Sequence, residues 1–228
     1  MIRHPEKTAS ISVICDLDGL LVDSEFWHFK AYQSILKRYD IKLTEDLFVQ
    51  GWLSEKQYGM RRYLERAGVV EEADIKKVRQ EKAQRFVELA QGNLKWMPGA
   101  REFLAQVREW GWDCGVGTGA HRSESDFIIN ECGISEYVNV WVSGDEVPKN
   151  KPHPDVFLKV AEKLGRNPQE CIVMENSSMG LKAASEAGMR CFVVPSRFTL
   201  QQDFSGAAKQ SSRLDEFKRM DFETEPIL

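Results

Sequence analysis

The stretch that decides the fold is Ile11-Ser12-Val13-Ile14-Cys15-Asp16-Leu17-Asp18-Gly19-Leu20-Leu21-Val22-Asp23-Ser24-Glu25. Its first five residues are almost wholly apolar and do not alternate with polar ones, the pattern of a strand buried on both faces. Two carboxylates and a glycine then end it abruptly. Four more short apolar runs occur at 114–116, 140–142, 171–174 and 191–194. The segments between these later runs carry helical periodicity: Phe103, Val107 and Trp110 share one face, as do Phe157, Val160, Ala161 and Leu164. A glycine closes each helical pattern, at Gly111, Gly133, Gly165 and Gly188. Strand and helix in alternation give an α/β fold, a doubly wound, Rossmann-like parallel sheet with helices on both faces.

The first strand interrupts that rhythm. Residues 25–94 contain no strand candidate but three helical stretches, around Phe29–Tyr39, Met60–Ala67 and Ile75–Leu89. The expected organisation is therefore an α/β core built from 1–24 and 95–228, with 25–94 inserted as an all-helical cap. The insert holds thirteen basic and eleven acidic residues, whereas the whole chain has net charge −4, so the cap is slightly positive over an acidic core. The overall acidity lacks the basic excess of a nucleic-acid binder. No apolar run approaches the ~20 residues of a membrane span, and residues 1–10 have no apolar stretch of the secretory kind. Neither nucleic acid nor membrane is expected as a partner, and a cytoplasmic location is expected. Five scattered cysteines without CxxC spacing read as reduced core residues.

In open parallel sheets, ligands bind beyond the carboxyl ends of the strands. The residues just past each strand therefore carry the most information about function. Asp16 and Asp18 come after the first, Thr118-Gly119 after the second, Lys151 after the third across a short loop, and Glu175-Asn176-Ser177 after the fourth. Two unit negative charges 4 Å apart repel by about 4 kcal/mol at an effective dielectric near 20. A divalent cation reverses that repulsion, and hard oxygen donors without His or Cys favour Mg²⁺. An Asp-x-Asp pair also caps strand-to-turn transitions; it is the company of the other residues that points to chemistry.

Together, DLDGLLVDSE, Thr118, Lys151 before a proline, and Glu175-Asn176-Ser177 resemble the haloacid dehalogenase superfamily. The position of the helical insert is similar to that of its beta-phosphoglucomutase-like phosphatase subfamily. The resemblance implies that Asp16 is the nucleophile and that Asp18 protonates the leaving group and then activates water. It implies that Thr118 and Lys151 bind phosphate and that Asp16, Asp18, Glu175 and Asn176 surround Mg²⁺; Gly119, lacking a side chain, is expected to let backbone N–H approach the same phosphate. The physics of each role agrees. Carboxylate attack splits hydrolysis into formation and breakdown of an aspartyl phosphate, and fixed positive charge stabilises the transferring group.

The chain departs from the family pattern at Asn176, where many relatives carry Asp; an amide keeps an oxygen but removes a charge. In the cap, His28 either faces Asp18 or is an ordinary half-exposed histidine, and Trp52 either touches substrate or packs the lid. Lys56, Arg61 and Arg62 are candidates for steering anions. The loop GWLSEK has no arginine where the sugar-phosphate mutase holds a second phosphate. The expected function is therefore Mg²⁺-dependent hydrolysis of a small phosphomonoester, such as a sugar phosphate, through an aspartyl-phosphate intermediate. The alternatives are a sugar phosphomutase and a non-catalytic phosphate-binding protein.

Overall fold

The computed structural model describes residues 11–53 and 59–223, apart from the side chain of Trp52. Six parallel strands form one sheet in the order β3-β2-β1-β4-β5-β6: β1 Ser12–Cys15, β2 Asp113–Gly117, β3 Val140–Val142, β4 Cys171–Glu175, β5 Arg190–Val193 and β6 Lys209–Gln210. The doubly wound arrangement expected from the sequence is thus present. The chain runs outward from β1 through β2 to β3, then returns to place β4 on the other flank of β1. That reversal opens a crevice at the carboxyl ends of β1 and β4, the topological switch point of the sheet.

β1 is central and wholly buried because its residues feed both faces. Val13 and Cys15 pack with Phe86, Phe103 and Val107 on one side. Ile14 packs with Val142, Phe157, Val160 and Val173 on the other. The helices along the sheet are α5 Ala100–Glu109, α6 Arg122–Glu131, α7 Asp155–Leu164 and α8 Ser178–Glu186, with a short α9 at Arg219–Glu223. All five cysteines are free, four of them buried.

Residues 25–94 form helices, with α1 Glu25–Leu36, α2 Glu45–Trp52, α3 Gly59–Arg66 and α4 Glu72–Ala90. Phe29, Leu36, Phe48, Leu64, Ile75 and Val78 make an apolar cluster of their own there. The sequence signals three helices in this region. The additional one, α2, is short and carries its start signal in Thr44, whose hydroxyl accepts a bond from the Leu47 amide at 3.3 Å. β6 has no apolar signature. Both of its residues are polar and exposed, and only its pairing with β5 defines it. Towards the end of the described chain, a 3₁₀ turn at Leu214–Glu216 is followed by α9. Among the described residues no helix is long and apolar enough to cross a membrane.

Gly115 in β2 shows how closely α7 is seated on the sheet. A Cβ there would lie 2.5 Å from a Val160 methyl and 3.2 Å from one of Val140. Both neighbours are β-branched and stiff, so neither can swing away. Gly115→Ala is therefore expected to lower the unfolding free energy by about 1–3 kcal/mol, measured as a reduced urea midpoint at unchanged slope.

Candidate active site

The four strand ends converge as the sequence suggests. β1 continues past Cys15 so that the Asp16 amide donates to the Met174 carbonyl at 2.9 Å, which places Asp16 beside Glu175 at the end of β4. Lys151, from the loop between β3 and α7, enters between them. Its ammonium donates to Asp16 Oδ1 at 2.6 Å and to Glu175 Oε1 at 2.7 Å. The other Glu175 oxygen accepts from the amides of Asn176 and Ser177, both at 2.8 Å, and from the Ser177 hydroxyl at 2.9 Å. Gly180 makes room for that carboxylate, since any side chain in its place would collide with it. Asp16, Lys151 and Glu175 are all buried.

Asp18 sits further out along the chain in a different environment. One oxygen accepts from the Ser24 hydroxyl at 2.5 Å and from His28 Nε2 at 2.9 Å; the other accepts from the Thr118 hydroxyl at 3.1 Å. Thr118 is fixed in turn by its amide's bond to the Val142 carbonyl at 3.0 Å. Gly119 lines the same cavity, and its carbonyl accepts from Asn150 Nδ2 at 2.9 Å.

The two aspartates titrate in opposite directions. Burial pushes Asp16 up, and the neighbouring Glu175 and Asp18 charges add to that; Lys151 opposes them, and the balance is a pKa of about 7. Burial acts on Asp18 in the same direction, but His28, Ser24 and Thr118 outweigh it and hold Asp18 at about 2. Burial likewise lifts Glu25 to about 8, with Ser196 and Asn176 donating to it and Asp18 and Asp16 repelling it. Lys151 is raised by Asp16 and Glu175 against the effect of its own burial.

His28 is buried, not half-exposed, and faces Asp18. Its other nitrogen meets Lys82 Nζ at 2.6 Å, Lys82 pairs with Glu124 at 2.6 Å, and the ring stacks on Phe86 at 3.9 Å between centroids. Trp52 ends α2, its side chain lying outside the described residues, as does Lys56 altogether. Arg61 lines the cavity but pairs with Glu65 and Glu72.

Ser24, Glu25, Lys82 and Glu124 join the site without being marked by the motif spacing. Ser24 and Glu25 lie within the decisive stretch, and their polarity just before a helical pattern is the available signal. Lys82 and Glu124 have none, because their significance arises only where α4 meets α6. The strand ends and the insert helices together enclose a cavity of about 570 Å³, within the usual range for small-molecule sites.

Four carboxylates, Asp16, Asp18, Glu25 and Glu175, share this cavity with the Asn176 amide. In charge and in donor type the set suits a hard divalent cation. Among the described residues no three His, Cys, Asp or Glu side chains form a ready-made cation cage, because the Lys151 ammonium stands between Asp16 and Glu175.

Residues 13–194 match the family of haloacid dehalogenase-like hydrolases. A phosphorylated carbohydrates phosphatase from Thermotoga maritima is 32% identical over 180 residues, which cover 78% of this chain and 82% of that protein. The fold is also that of the Rhodobacter sphaeroides CbbY mutant solved with xylulose-(1,5)bisphosphate, with TM-score 0.80, 24% identity and coverage of 91% and 96% of the two chains. The beta-phosphoglucomutase of Clostridium difficile superposes with TM-score 0.78, at 24% identity and coverage of 93% and 95%. The chain belongs to the haloacid dehalogenase-like hydrolase family and is an enzyme of the phosphoric monoester hydrolase class.

Folded Asp16 keeps its proton to about pH 7, whereas in the unfolded chain it loses it near the ordinary value of 3.8. Its contribution to stability is therefore present below about pH 4 and is lost as pH rises through 7. Asp16→Asn is expected to be more stable than wild type by on the order of 1–3 kcal/mol at pH 8, with the gap closing towards pH 4. Urea unfolding across that range measures the gap, and a pH-independent difference would contradict the assignment.

Proposed function

We propose that the protein is a Mg²⁺-dependent phosphatase that hydrolyses a small phosphomonoester, of the sugar-phosphate class, through an aspartyl-phosphate intermediate. The observation that carries this reading is the buried Asp16 carboxylate, gripped by Lys151 at 2.6 Å, two residues from an Asp18 that is bonded to Thr118 and His28. In this reading the nucleophile Asp16, the acid–base group Asp18 and the phosphate-holding Lys151 and Thr118 share one cavity.

Asp16 attacks the phosphorus and displaces the substrate alcohol. Lys151 and the Thr118 hydroxyl hold the non-bridging oxygens, and the loop at Gly119 lets the phosphoryl group approach the backbone. Asp18 delivers a proton to the departing oxygen, then takes one from the water that hydrolyses the aspartyl phosphate. His28 and Ser24 aim the Asp18 carboxyl. Asp16, Asp18, Glu175 and Asn176 are the residues that would hold the cation, which supplies charge neutralisation for the carboxylates and the transferring phosphoryl group.

Residues 25–94 act in this reading as a cap domain over the α/β core formed by the remainder. Phe48, Met60 and Tyr32 give the cavity an apolar upper wall for the leaving group, and closure excludes bulk water during the first step. A sugar phosphate agrees with the ligand seen in the CbbY complex and with the activity that names the Thermotoga relative.

The test is inorganic phosphate release from a panel of sugar phosphates with and without Mg²⁺. Release should require the metal and fall by at least about 10⁴-fold in Asp16→Asn, the scale on which losing a covalent nucleophile is felt. Thr118→Ala should lose less, about 10²–10³-fold, as for the loss of one transition-state donor. Unchanged turnover in Asp16→Asn would refute the covalent mechanism. Isomerisation of sugar phosphates without net release would replace hydrolysis with a mutase reaction.

A further inference from the structure

We propose that Glu25 gives the cation site the carboxylate that Asn176 lacks. This rests on the metal-dependent reading above and gives a role to a residue that the family resemblance does not assign.

The pair at the end of β4 is Glu175-Asn176, one negative charge short of a double carboxylate. Glu25, in the first turn of α1, approaches the same place from the opposite wall. Its Oε1 accepts from Asn176 Nδ2 at 3.1 Å, and that same amide group donates to the Asp18 carbonyl at 3.2 Å. The Asp18 carbonyl can only accept, so that bond orients the amide with its nitrogen towards it and towards Glu25. An aspartate at 176 would instead set a carboxylate against Glu25 and against the Asp18 carbonyl. Asparagine at 176 and glutamate at 25 are thus a complementary pair.

The backbone is shaped for this approach. Gly19 has φ 77°, and a Cβ there would run into both the Glu25 carboxyl and the Asn176 amide. No other residue combines that conformation with that clearance.

Asp16 and Glu175 share the Lys151 ammonium, and Asp18 is met by three donors, His28, Ser24 and Thr118. Glu25 is buried, lines the cavity, and has the Asn176 amide and the Ser196 hydroxyl as partners. Among the described residues it pairs with no Lys, Arg or His. A buried carboxylate without a cation is costly, and a divalent ion in the crevice removes that cost.

The test is Mg²⁺ binding by titration calorimetry on the wild type, Glu25→Gln, and the double variant Glu25→Gln/Asn176→Asp, with circular dichroism as the check on folding. Glu25→Gln should weaken Mg²⁺ binding at least about tenfold. The double variant, which moves the charge across the pair, should return to within about threefold of wild type. Equal Mg²⁺ affinity in wild type and Glu25→Gln overturns the proposal, as does a double variant that binds no better than the single one. If Glu25→Gln does not fold, Glu25→Asp keeps the charge but shortens its reach. It should lower Mg²⁺ protection against thermal unfolding, and unchanged protection overturns the proposal. Absence of Mg²⁺ binding by the wild type, with turnover indifferent to metal, refutes the metal-dependent reading itself, a result distinct from failure of Glu25 alone.

Discussion

One ammonium group holds the carboxyl edge of the sheet together. Lys151 Nζ stands between Asp16 and Glu175, two carboxylates that the sheet forces into proximity because β1 and β4 are parallel neighbours in register, Cys15 opposite Met174. Without a cation between them, two buried negative charges at adjacent strand ends would open the crevice or remain protonated. The lysine reaches that point from the far side of the sheet, beyond β3, so the order β3-β2-β1-β4 is itself a condition for the site. Each strand contributes one loop, and the loops meet because the topology reverses at β1. The same geometry leaves a surplus of negative charge that one lysine does not cancel, and that surplus gives the crevice its character.

The inserted helices bring a side chain, His28, to Asp18 as well as part of the cavity wall. Lys82 on α4 and Glu124 on α6 form a buried ion pair 42 residues apart in sequence. Lys82 also donates to His28 Nδ1. Since an ammonium has only protons to give, Nδ1 is the acceptor and Nε2 is left as the ring's donor to Asp18. Stacking on Phe86 fixes the plane of the ring. The orientation of Asp18 thus depends on contact between α4 and α6, which ties the placement of the insert to the state of the acid–base group in the proposed reaction.

How far the sequence could be read depends on whether a residue's meaning is local. The unbroken apolar runs mark β1 to β5 because a strand buried on two faces needs nothing else. Asp16, Thr118, Lys151 and Glu175 are visible because each comes soon after such a run, and position after a strand is information held in one dimension. β6 is polar and exposed, so its pairing with β5 leaves no trace in composition. His28 allows two readings in one dimension; the Lys82–Glu124 pair, 54 and 96 residues further along the chain, turns it inward. Glu25 stands in plain view inside the decisive motif. Its importance lies in the distance to Asn176, 151 residues on, which no spacing rule encodes.

Asp16 and Asp18 also show what environment does to identical side chains. Only two residues apart, they are held at about 7 and about 2, and pairs pushed apart in this way mark divided acid–base roles. For the proposed reaction the free protein has the assignment reversed, since attack by Asp16 would need it ionised and Asp18 protonated. Substrate and cation are suited to inverting it. Positive charge in the crevice lowers Asp16. A phosphoryl dianion that takes the Thr118 hydroxyl for one of its own oxygens removes a donor from Asp18 and places negative charge beside it, and both effects raise Asp18. In the proposed reaction Thr118 is therefore the point of exchange: its hydroxyl holds Asp18 ionised in the empty site and would release it to act as an acid when phosphate arrives.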